Sequence, residues 1–524
     1  MKKKLIYLFV ILFIFTFSLQ LFSNKVFGVD AFFHYKFVQI MFEENISSNF
    51  PWLYYTDFNT NFSDQRYLFH LILHPFTYFA FPYSLKIFIS LFSALFFTLF
   101  YFILNKMDIK KPELWLFILI FSSNLFIFRL QLGRPLLFTI SLSLIGIYLL
   151  MKEKKWFLLF WPIIFILSSY GSILIILIIL FSYLLIKLLI LKKFDWLIFI
   201  IVLIGIILGL IIHPQLFNFL NIIFTNYSSG LLSLTENIKL TPAELNNYNL
   251  ISFIITSLPL VLLLFFSFLI CLINLLLKTD IDLEKKKNYY FLFLLSIIFL
   301  ILTLIFYRFI EYLAPIIILF TAYSYNLFEA KSEFISLSEV IFIKLNKLPF
   351  KILIALTIIS LIYSPIKQIS TSYNQAQSID TFKETALWLK NNTPKNSIIF
   401  NVAWDSFTRL FFFNHHNYYI IGLDPVFLFK YNKELYYLWE NISLNICAEN
   451  IKINECPENK KTAKAIAESI VNNFNTEYIW LPKNNKYYLD LSDFLKNNSN
   501  YFELMIETED SIVYKINYKP SLSN

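Results

Sequence analysis

The chain has 524 residues, of which 58% are hydrophobic and 15% are charged. A soluble globular domain carries about 45–50% apolar and about 25% charged residues. One water-soluble core cannot bury this excess of apolar side chains. The composition therefore excludes a purely cytosolic enzyme and leaves a transporter, a channel or a membrane enzyme.

Apolar runs that are long enough to cross a bilayer recur along the first 369 residues. A hydrocarbon core about 30 Å thick needs roughly 20 apolar residues in a helix. The runs predict a polytopic α-helical membrane protein with about eleven transmembrane helices. They lie near residues 5–23, 84–104, 113–128, 135–151, 156–170, 171–191, 194–213, 251–277, 288–307, 313–328 and 352–369.

The segment 67–83 is also apolar, but it contains His70, His74 and two prolines. Lys and Arg mark the cytoplasmic loops of membrane proteins. With eleven spans, most of these residues fall on the side of the MKKK N-terminus, whereas a span at 67–83 would invert every later loop. We therefore interpret 67–83 as an interfacial or re-entrant helix. The pattern predicts a multi-pass plasma-membrane protein with a cytoplasmic N-terminus and no nucleic-acid partner.

The composition becomes polar after the last apolar run, and no further span follows. This predicts a transmembrane domain at 1–369, with a long first outer loop at 24–66, and an extracytoplasmic α/β domain at 370–524. In the second domain we predict helices near 381–392 and 461–474, strands at 397–402 and 477–482, and a hairpin near 501–517.

Cysteines suggest no metal site. Cys447 and Cys456 both lie in the predicted outer domain, where disulfides can form. The two cysteines could form a disulfide with each other or remain free thiols. No Cys/His spacing typical of zinc sites occurs.

The first outer loop carries the acidic candidates. Asp30 and His34 are four residues apart and share one face of a helix, as do His70 and His74. Asp30 and Asp64 bracket the loop. Such side chains could bind a divalent cation such as Mg²⁺ or Mn²⁺, or supply a general base. Each could instead be a solvated loop residue.

Two short arginine-containing segments follow the loop in the sequence. RFIEYLAP holds Arg308 and Glu311, which either form a helical ion pair or leave the arginine to bind a lipid phosphate. RLQLGRP holds Arg129 and Arg134, which fit a phosphate contact or an ordinary turn whose arginines extend towards water.

Trp404 and Asp405 directly follow an apolar strand of the predicted outer domain. Strand ends are where α/β sheets place ligand-binding groups. The pair is therefore a candidate for sugar or peptide recognition, although Trp404 could also be a core residue.

All four regions fall on the outer side in the predicted topology. The predicted spans carry almost no charge at their centres, whereas proton and ion pathways place ionisable residues there. Transporters also use broken helices, and the chain has only 8 glycines. The sequence favours chemistry at the outer face over passage through the bilayer.

This layout resembles the GT-C superfamily of membrane glycosyltransferases. GVDAFFHYKF followed by FPW is similar to the first outer loop of oligosaccharyltransferase catalytic subunits. The stretch AWDSF (403–407) resembles a degenerate form of their WWDYG motif. RFIEYLAP is similar to an arginine-containing span end in related membrane glycosyltransferases.

The resemblance implies a polyprenyl-linked sugar donor and reaction at the outer face, with a glycan, lipid or protein acceptor. Asp30 would be the catalytic or metal-binding carboxylate and Asp64 the second candidate. Arg308 would contact the lipid phosphate, and Trp404 and Asp405 the acceptor. In the mechanism that we expect from these residues, Arg134 is a second candidate for the phosphate contact. RLQLGRP lacks the acidic pair found in oligosaccharyltransferases.

The missing acidic pair and the incomplete WWDYG motif both depart from oligosaccharyltransferases. They make a monophosphate donor and a hydroxyl acceptor at least as fitting as transfer to a peptide. Oligosaccharyltransferase-like transfer to protein, a transporter or flippase for a lipid-linked glycan, and an inactive relative that binds a glycan remain the alternatives.

Overall fold

The computed structural model describes residues 2–44, 48–235, 250–276, 282–328, 348–444, 462–483 and 485–518. The chain forms two compact units. The first, which we call the helical unit, comprises Met1–Phe27, Gln65–Pro214 and Ala243–Ala376. The second, the sheet unit, comprises Gly28–Asp64, Gln215–Pro242 and Gln377–Asn524.

Helices dominate the chain up to residue 375. In chain order they are α1 (Lys2–Gln20), α2 (Asp30–Glu43), α3 (Phe58–Asn61), α4 (Tyr67–Leu73), α5 (Tyr83–Lys106), α6 (Pro112–Phe121), α7 (Asn124–Leu130), α8 (Leu136–Met151), α9 (Lys155–Ser168), α10 (Ser172–Leu191), α11 (Trp196–Ile212), α12 (Leu216–Thr235), α13 (Leu250–Thr256), α14 (Leu258–Leu276), α15 (Leu283–Ile305), α16 (Ile310–Phe328) and α17 (Leu348–Gln375).

Helices occupy each of the predicted apolar runs, but not all of them are long enough to be spans. Among the described residues, five helices are long and apolar enough to cross a membrane, and up to seven if each bent pair is one span. The five correspond to α1, α5, α10, α15 and α16. The two bent pairs are α6 with α7 and α11 with the first part of α12. A multi-pass membrane protein is thus confirmed, whereas the number eleven stays a prediction.

The segment 67–83 contains no helix that could cross a bilayer. It holds the seven residues of α4 and a five-residue 3₁₀ helix, His74–Tyr78, which begins at the residue before Pro75. Proline lacks the amide hydrogen needed in a helix interior, which accounts for the change of helix type. This agrees with the prediction that 67–83 is not a span.

A five-stranded sheet lies in the sheet unit. Strands β1 (Ile398–Asn401), β2 (Tyr418–Tyr419), β3 (Tyr478–Pro482), β4 (Phe502–Glu507) and β5 (Ser511–Ile516) lie in the order β2-β1-β3-β5-β4. β1 is parallel to β2 and β3, while β5 is antiparallel to β3 and β4. The accompanying helices are α18 (Lys383–Asn392), α19 (Phe407–Phe413), α20 (Val426–Tyr431), α21 (Lys433–Ser443), α22 (Ala463–Phe474) and α23 (Leu489–Asn497).

The predicted strands at 397–402 and 477–482, the closing hairpin and the helices near 381–392 and 461–474 are confirmed. Each combines an apolar pattern with turn residues at its ends. Cys447 and Cys456 lie outside the described residues, so the disulfide stays a prediction.

The first loop adds a further bridge to this sheet. Leu53 pairs with Tyr419 in parallel, and the Tyr419 amide donates to the Trp52 carbonyl at 2.9 Å. Phe50, Trp52 and Phe58 belong to the same hydrophobic core as the strands. From the sequence we assigned the loop 24–66 to the transmembrane domain. In the structure, Gly28–Asp64 folds as part of the sheet unit.

Candidate functional site

Asp30 is the first residue of α2, in the sheet unit. Gly28, two residues earlier, has a φ of 75°, which a glycine adopts without steric cost. A carboxylate in the first helical turn is stabilised by the positive end of the helix dipole. His34 lies one turn further and is fully buried. The predicted shared face of Asp30 and His34 therefore exists, with Asp30 itself half-buried.

Packing against α19 holds α2 in place. The Phe32 and Phe412 rings meet edge to face at 5.3 Å, and the Arg409 guanidinium lies 4.2 Å from the centre of the Phe32 ring. Arg409 also donates to the Ser378 carbonyl at 2.6 Å. Burial lowers the pKa of Arg409 to about 10, so the side chain remains cationic at neutral pH.

Arg409 was not among the residues predicted from sequence. The only signal was its place in DSFTRLFF, four residues after Asp405, because a buried arginine beside aromatic rings is a frequent cation–π arrangement. Its contact with α2 gives it a positioning role for the helix that begins at Asp30.

Trp404 and Asp405 lie in the turn between β1 and α19, just beyond the carboxyl end of the strand. The Asn401 side chain fixes this end, donating to the Ile421 carbonyl at 2.7 Å and accepting from the Ile420 amide at 3.1 Å. Trp404 is half-buried against the core, and Asp405 is exposed. The strand-end position expected for a recognition pair is thus present.

A close backbone approach shapes the neighbouring turn. A Cβ atom on Gly422 would lie 2.3 Å from Cγ of Phe407, the first residue of α19. Only glycine allows the chain after β2 to pass α19 at this distance.

Asp64 is buried at the other end of the first loop. Its backbone amide donates to the Gln215 side chain at 3.2 Å. Asp30 and Asp64 are therefore both in the sheet unit, whereas His70 is buried on α4 of the helical unit.

The two arginine-containing segments meet inside the helical unit. Arg129, at the end of α7, forms an ion pair with Glu311 in the first turn of α16. Both side chains are almost completely buried, at 4% and 5% exposure. The Arg129 guanidinium also lies 5.8 Å from the centre of the Tyr307 ring. The sequence left open a pair between Arg308 and Glu311, and it gave no sign that Arg129 is a partner of Glu311.

A hydrogen-bonded network holds the RLQLGRP turn. The Gln20 amide of α1 donates to the Gln131 side-chain oxygen at 2.9 Å and accepts from the Tyr373 hydroxyl at 2.9 Å. Gln20, Gln131 and Tyr373 are all buried, and a satisfied buried network fixes one geometry. The turn is thus a structured element that carries half-buried Arg134, whereas Arg308 lies half-buried in the 3₁₀ helix Tyr307–Phe309.

Within the described ranges, no three His, Cys, Asp or Glu side chains form a group that could hold an ion. The metal role of Asp30 therefore stays a prediction.

Solved structures of membrane glycosyltransferases share this fold. The oligosaccharyltransferase of Archaeoglobus fulgidus in its apo form matches with a TM-score of 0.63 at 13% identity, over 91% of this chain and 69% of that one. The same organism's AglB, in complex with an inhibitory peptide and a dolichol-phosphate, matches with a TM-score of 0.60 at 12% identity, over 92% and 69%.

A second enzyme matches along its whole length. ArnT from Cupriavidus metallidurans, bound to undecaprenyl phosphate, has a TM-score of 0.53 at 10% identity and covers 97% of both chains. No family model and no curated protein matches the sequence. The predicted likeness to GT-C glycosyltransferases is thus confirmed at the level of the fold.

Proposed function

We propose that this protein is a membrane glycosyltransferase that transfers a sugar from a polyprenyl-phosphate-linked donor to an acceptor at the outer face of the plasma membrane. The observation that carries the proposal is the match over 97% of both chains with ArnT bound to undecaprenyl phosphate. A glycan or lipid hydroxyl is the acceptor that we favour.

Asp30 is the proposed general base. Its carboxylate takes the proton of the acceptor hydroxyl while the acceptor oxygen attacks the anomeric carbon of the donor sugar. The bond between that carbon and the phosphate oxygen breaks, and polyprenyl phosphate leaves with the bonding electrons. The position of Asp30 at the first turn of a well-packed helix supports a fixed orientation for such a base.

Arg308 and Arg134 are the proposed contacts of the lipid phosphate. A guanidinium matches two phosphate oxygens and stabilises the charge that grows on the leaving group. The buried Arg129–Glu311 pair supports this assignment, since it connects the segments that carry the two arginines. Trp404 and Asp405 are the proposed acceptor contacts, supported by their strand-end position.

Asp30→Asn tests the assignment in proteoliposomes that contain radiolabelled polyprenyl-phosphate sugars. A positioned base contributes about 10²–10⁴-fold in rate, and we expect a loss of that size with unchanged insertion. Asp57→Asn is the matched control, because Asp57 is exposed in the same loop and makes no helix-capping bond. Wild-type turnover of Asp30→Asn would show that another group is the base.

Transfer to a peptide is the second candidate, favoured by the likeness to AglB, which was solved with an inhibitory peptide. The same labelled donor separates the two when it is offered with either a peptide or a membrane lipid fraction. Label in the peptide would identify oligosaccharyltransferase-like activity. Net movement of an unreacted lipid-linked glycan across the bilayer would instead indicate a flippase.

A further inference from the structure

Six Asn-X-Ser/Thr tripeptides occur in the sequence, with a residue other than proline at X. This tripeptide is the acceptor motif for asparagine-linked glycosylation in surface loops of proteins that face the outside of the cell. With eleven spans and a cytoplasmic N-terminus, all six motifs fall on the predicted outer side. Their asparagines are Asn45, Asn61, Asn226, Asn391, Asn441 and Asn497.

The hydroxyl residue is withdrawn from the surface in four of these motifs. Ser63 and Ser443 are completely buried, and the hydroxyl of buried Thr393 donates to a backbone carbonyl at 2.7 Å. Ser228 lies within α12, and its hydroxyl donates to the backbone of the preceding turn at 2.8 Å. An enzyme that reads the motif must reach both the asparagine and the hydroxyl residue. The motif that begins at Asn45 lies outside the described residues.

The motif at Asn497 is exposed at both of its defining positions. Asn497 is the last residue of α23, and both it and Ser499 are exposed. Asn498, between them, has φ −117° and ψ 46°, so the chain leaves the helix at the middle of the motif. The Asn498 side chain donates to the Phe494 carbonyl at 2.8 Å, and the Asn498 carbonyl accepts from the Tyr501 amide at 3.0 Å. The middle residue therefore fixes the turn that presents the other two.

We propose that Asn497 is glycosylated at its side-chain nitrogen by an oligosaccharyltransferase that uses a polyprenyl-linked sugar. The Nδ2 atom attacks the anomeric carbon of the sugar, and the bond between that carbon and the lipid phosphate oxygen breaks. The lipid phosphate leaves with the bonding electrons, and a base of the enzyme takes one proton from Nδ2. The proposal concerns this chain as an acceptor, so it does not depend on the reaction that the chain itself catalyses.

The position of the modified turn gives the glycan a physical role. The turn leads into β4, which is the terminal strand of the sheet and carries Leu504 with 48% exposure. Terminal strands can pair with another chain, and proteins protect them with charge, bulges or covering groups. A bulky, solubilising glycan at Asn497 adds such protection beside β4.

Mass spectrometry of the full-length protein, purified from the membranes of its own organism, tests the proposal. Trypsin cleaves after Lys496 and Lys515, and the peptide 497–515 contains this acceptor motif and no other. Electron-transfer fragmentation assigns any added sugar mass to a single residue. We expect the sugar at Asn497, and unmodified asparagines at Asn391 and Asn441.

Three variants expressed in the same organism sharpen the assignment. Asn497→Gln removes the acceptor nitrogen, and Ser499→Ala keeps the asparagine but removes the motif, so each should abolish the added mass. Asn500→Gln is the matched control, because Asn500 is exposed in the same turn and lies outside the motif. It should retain the sugar. Since all three substituted residues are exposed, the variants should fold as the wild type does.

An unmodified peptide 497–515 in the wild-type protein would overturn the proposal. Added mass that survives in Ser499→Ala would also overturn it, because it would indicate another kind of modification. Sugar at Asn391 or Asn441 in place of Asn497 would refute the argument from burial. None of these measurements uses the transferase activity of the protein, so their failure is distinguishable from failure of the proposed function.

Discussion

Loss of either member of the buried Arg129–Glu311 pair should destabilise the helical unit strongly. Glu311→Leu leaves the Arg129 guanidinium, which is 4% exposed, without this carboxylate. Arg129→Met leaves the buried Glu311 carboxylate without the Arg129 guanidinium. Breaking a buried ion pair by removing one partner costs about 3–5 kcal/mol, since a charge is left in a low-dielectric site.

The double variant distinguishes this pairing from two separate roles. Replacing both members of a buried pair by apolar residues is often close to neutral, because no charge remains buried. We therefore expect the Arg129→Met, Glu311→Leu protein to be less destabilised than the sum of the single variants, with a coupling of at least about 2 kcal/mol.

Reversible unfolding in mixed detergent micelles with increasing dodecyl sulfate, followed by tryptophan fluorescence, measures these free energies. Glu113→Gln is the control, because it removes an exposed pair with Lys4 in the same unit and should have little effect. Strictly additive effects of the two substitutions, or a Glu311→Leu variant as stable as Glu113→Gln, would refute the reasoning.

Substitutions at three further positions test the sheet unit. Gly422→Ala places a Cβ 2.3 Å from the Phe407 ring, and thermal unfolding should show a loss of about 1–3 kcal/mol. Burial and neighbouring cations lower the pKa of His415 to about 4, so the folded protein resists a proton that the unfolded chain accepts near its ordinary value. Stability should fall as pH drops from about 6.5 towards 4, and His415→Gln should flatten that fall; an unchanged profile would contradict it. Arg409→Met keeps an apolar contact with Phe32 but loses the bond to Ser378. It should lower transferase turnover, whereas Arg409→Lys should restore part of it; equal turnover in both would argue against positioning through a charge.

Local patterns account for the parts of the fold that could be predicted. The strands at 398–401 and 478–482 are apolar runs bounded by polar residues, and the hairpin at 502–516 alternates around a polar turn. In contrast, β2 has only two residues, within NHHNYYIIG, and its pairing depends on β1. The bridge between Leu53 and Tyr419 joins residues far apart in sequence, and no local preference encodes it.

The candidate site shows the same division. Asp30, Glu311 and Trp404 became candidates from residue type and neighbouring motif, and their roles stay predictions. The pairing of Glu311 with Arg129 could not, because the two lie 182 residues apart and their encounter follows from helix packing. Arg409 was missed for a related reason, since its aromatic partner Phe32 lies on a distant segment of the chain.

The assembly of the sheet unit from three separate segments has a consequence for biosynthesis. Gly28–Asp64 emerges early, but the strands it packs with begin after Gln377, roughly 300 residues later, which at about 5–20 residues per second takes on the order of 15–60 seconds. During that interval Phe50, Trp52 and Phe58 lack the core that later buries them. These apolar side chains of the loop therefore lack their native packing partners until synthesis is nearly complete.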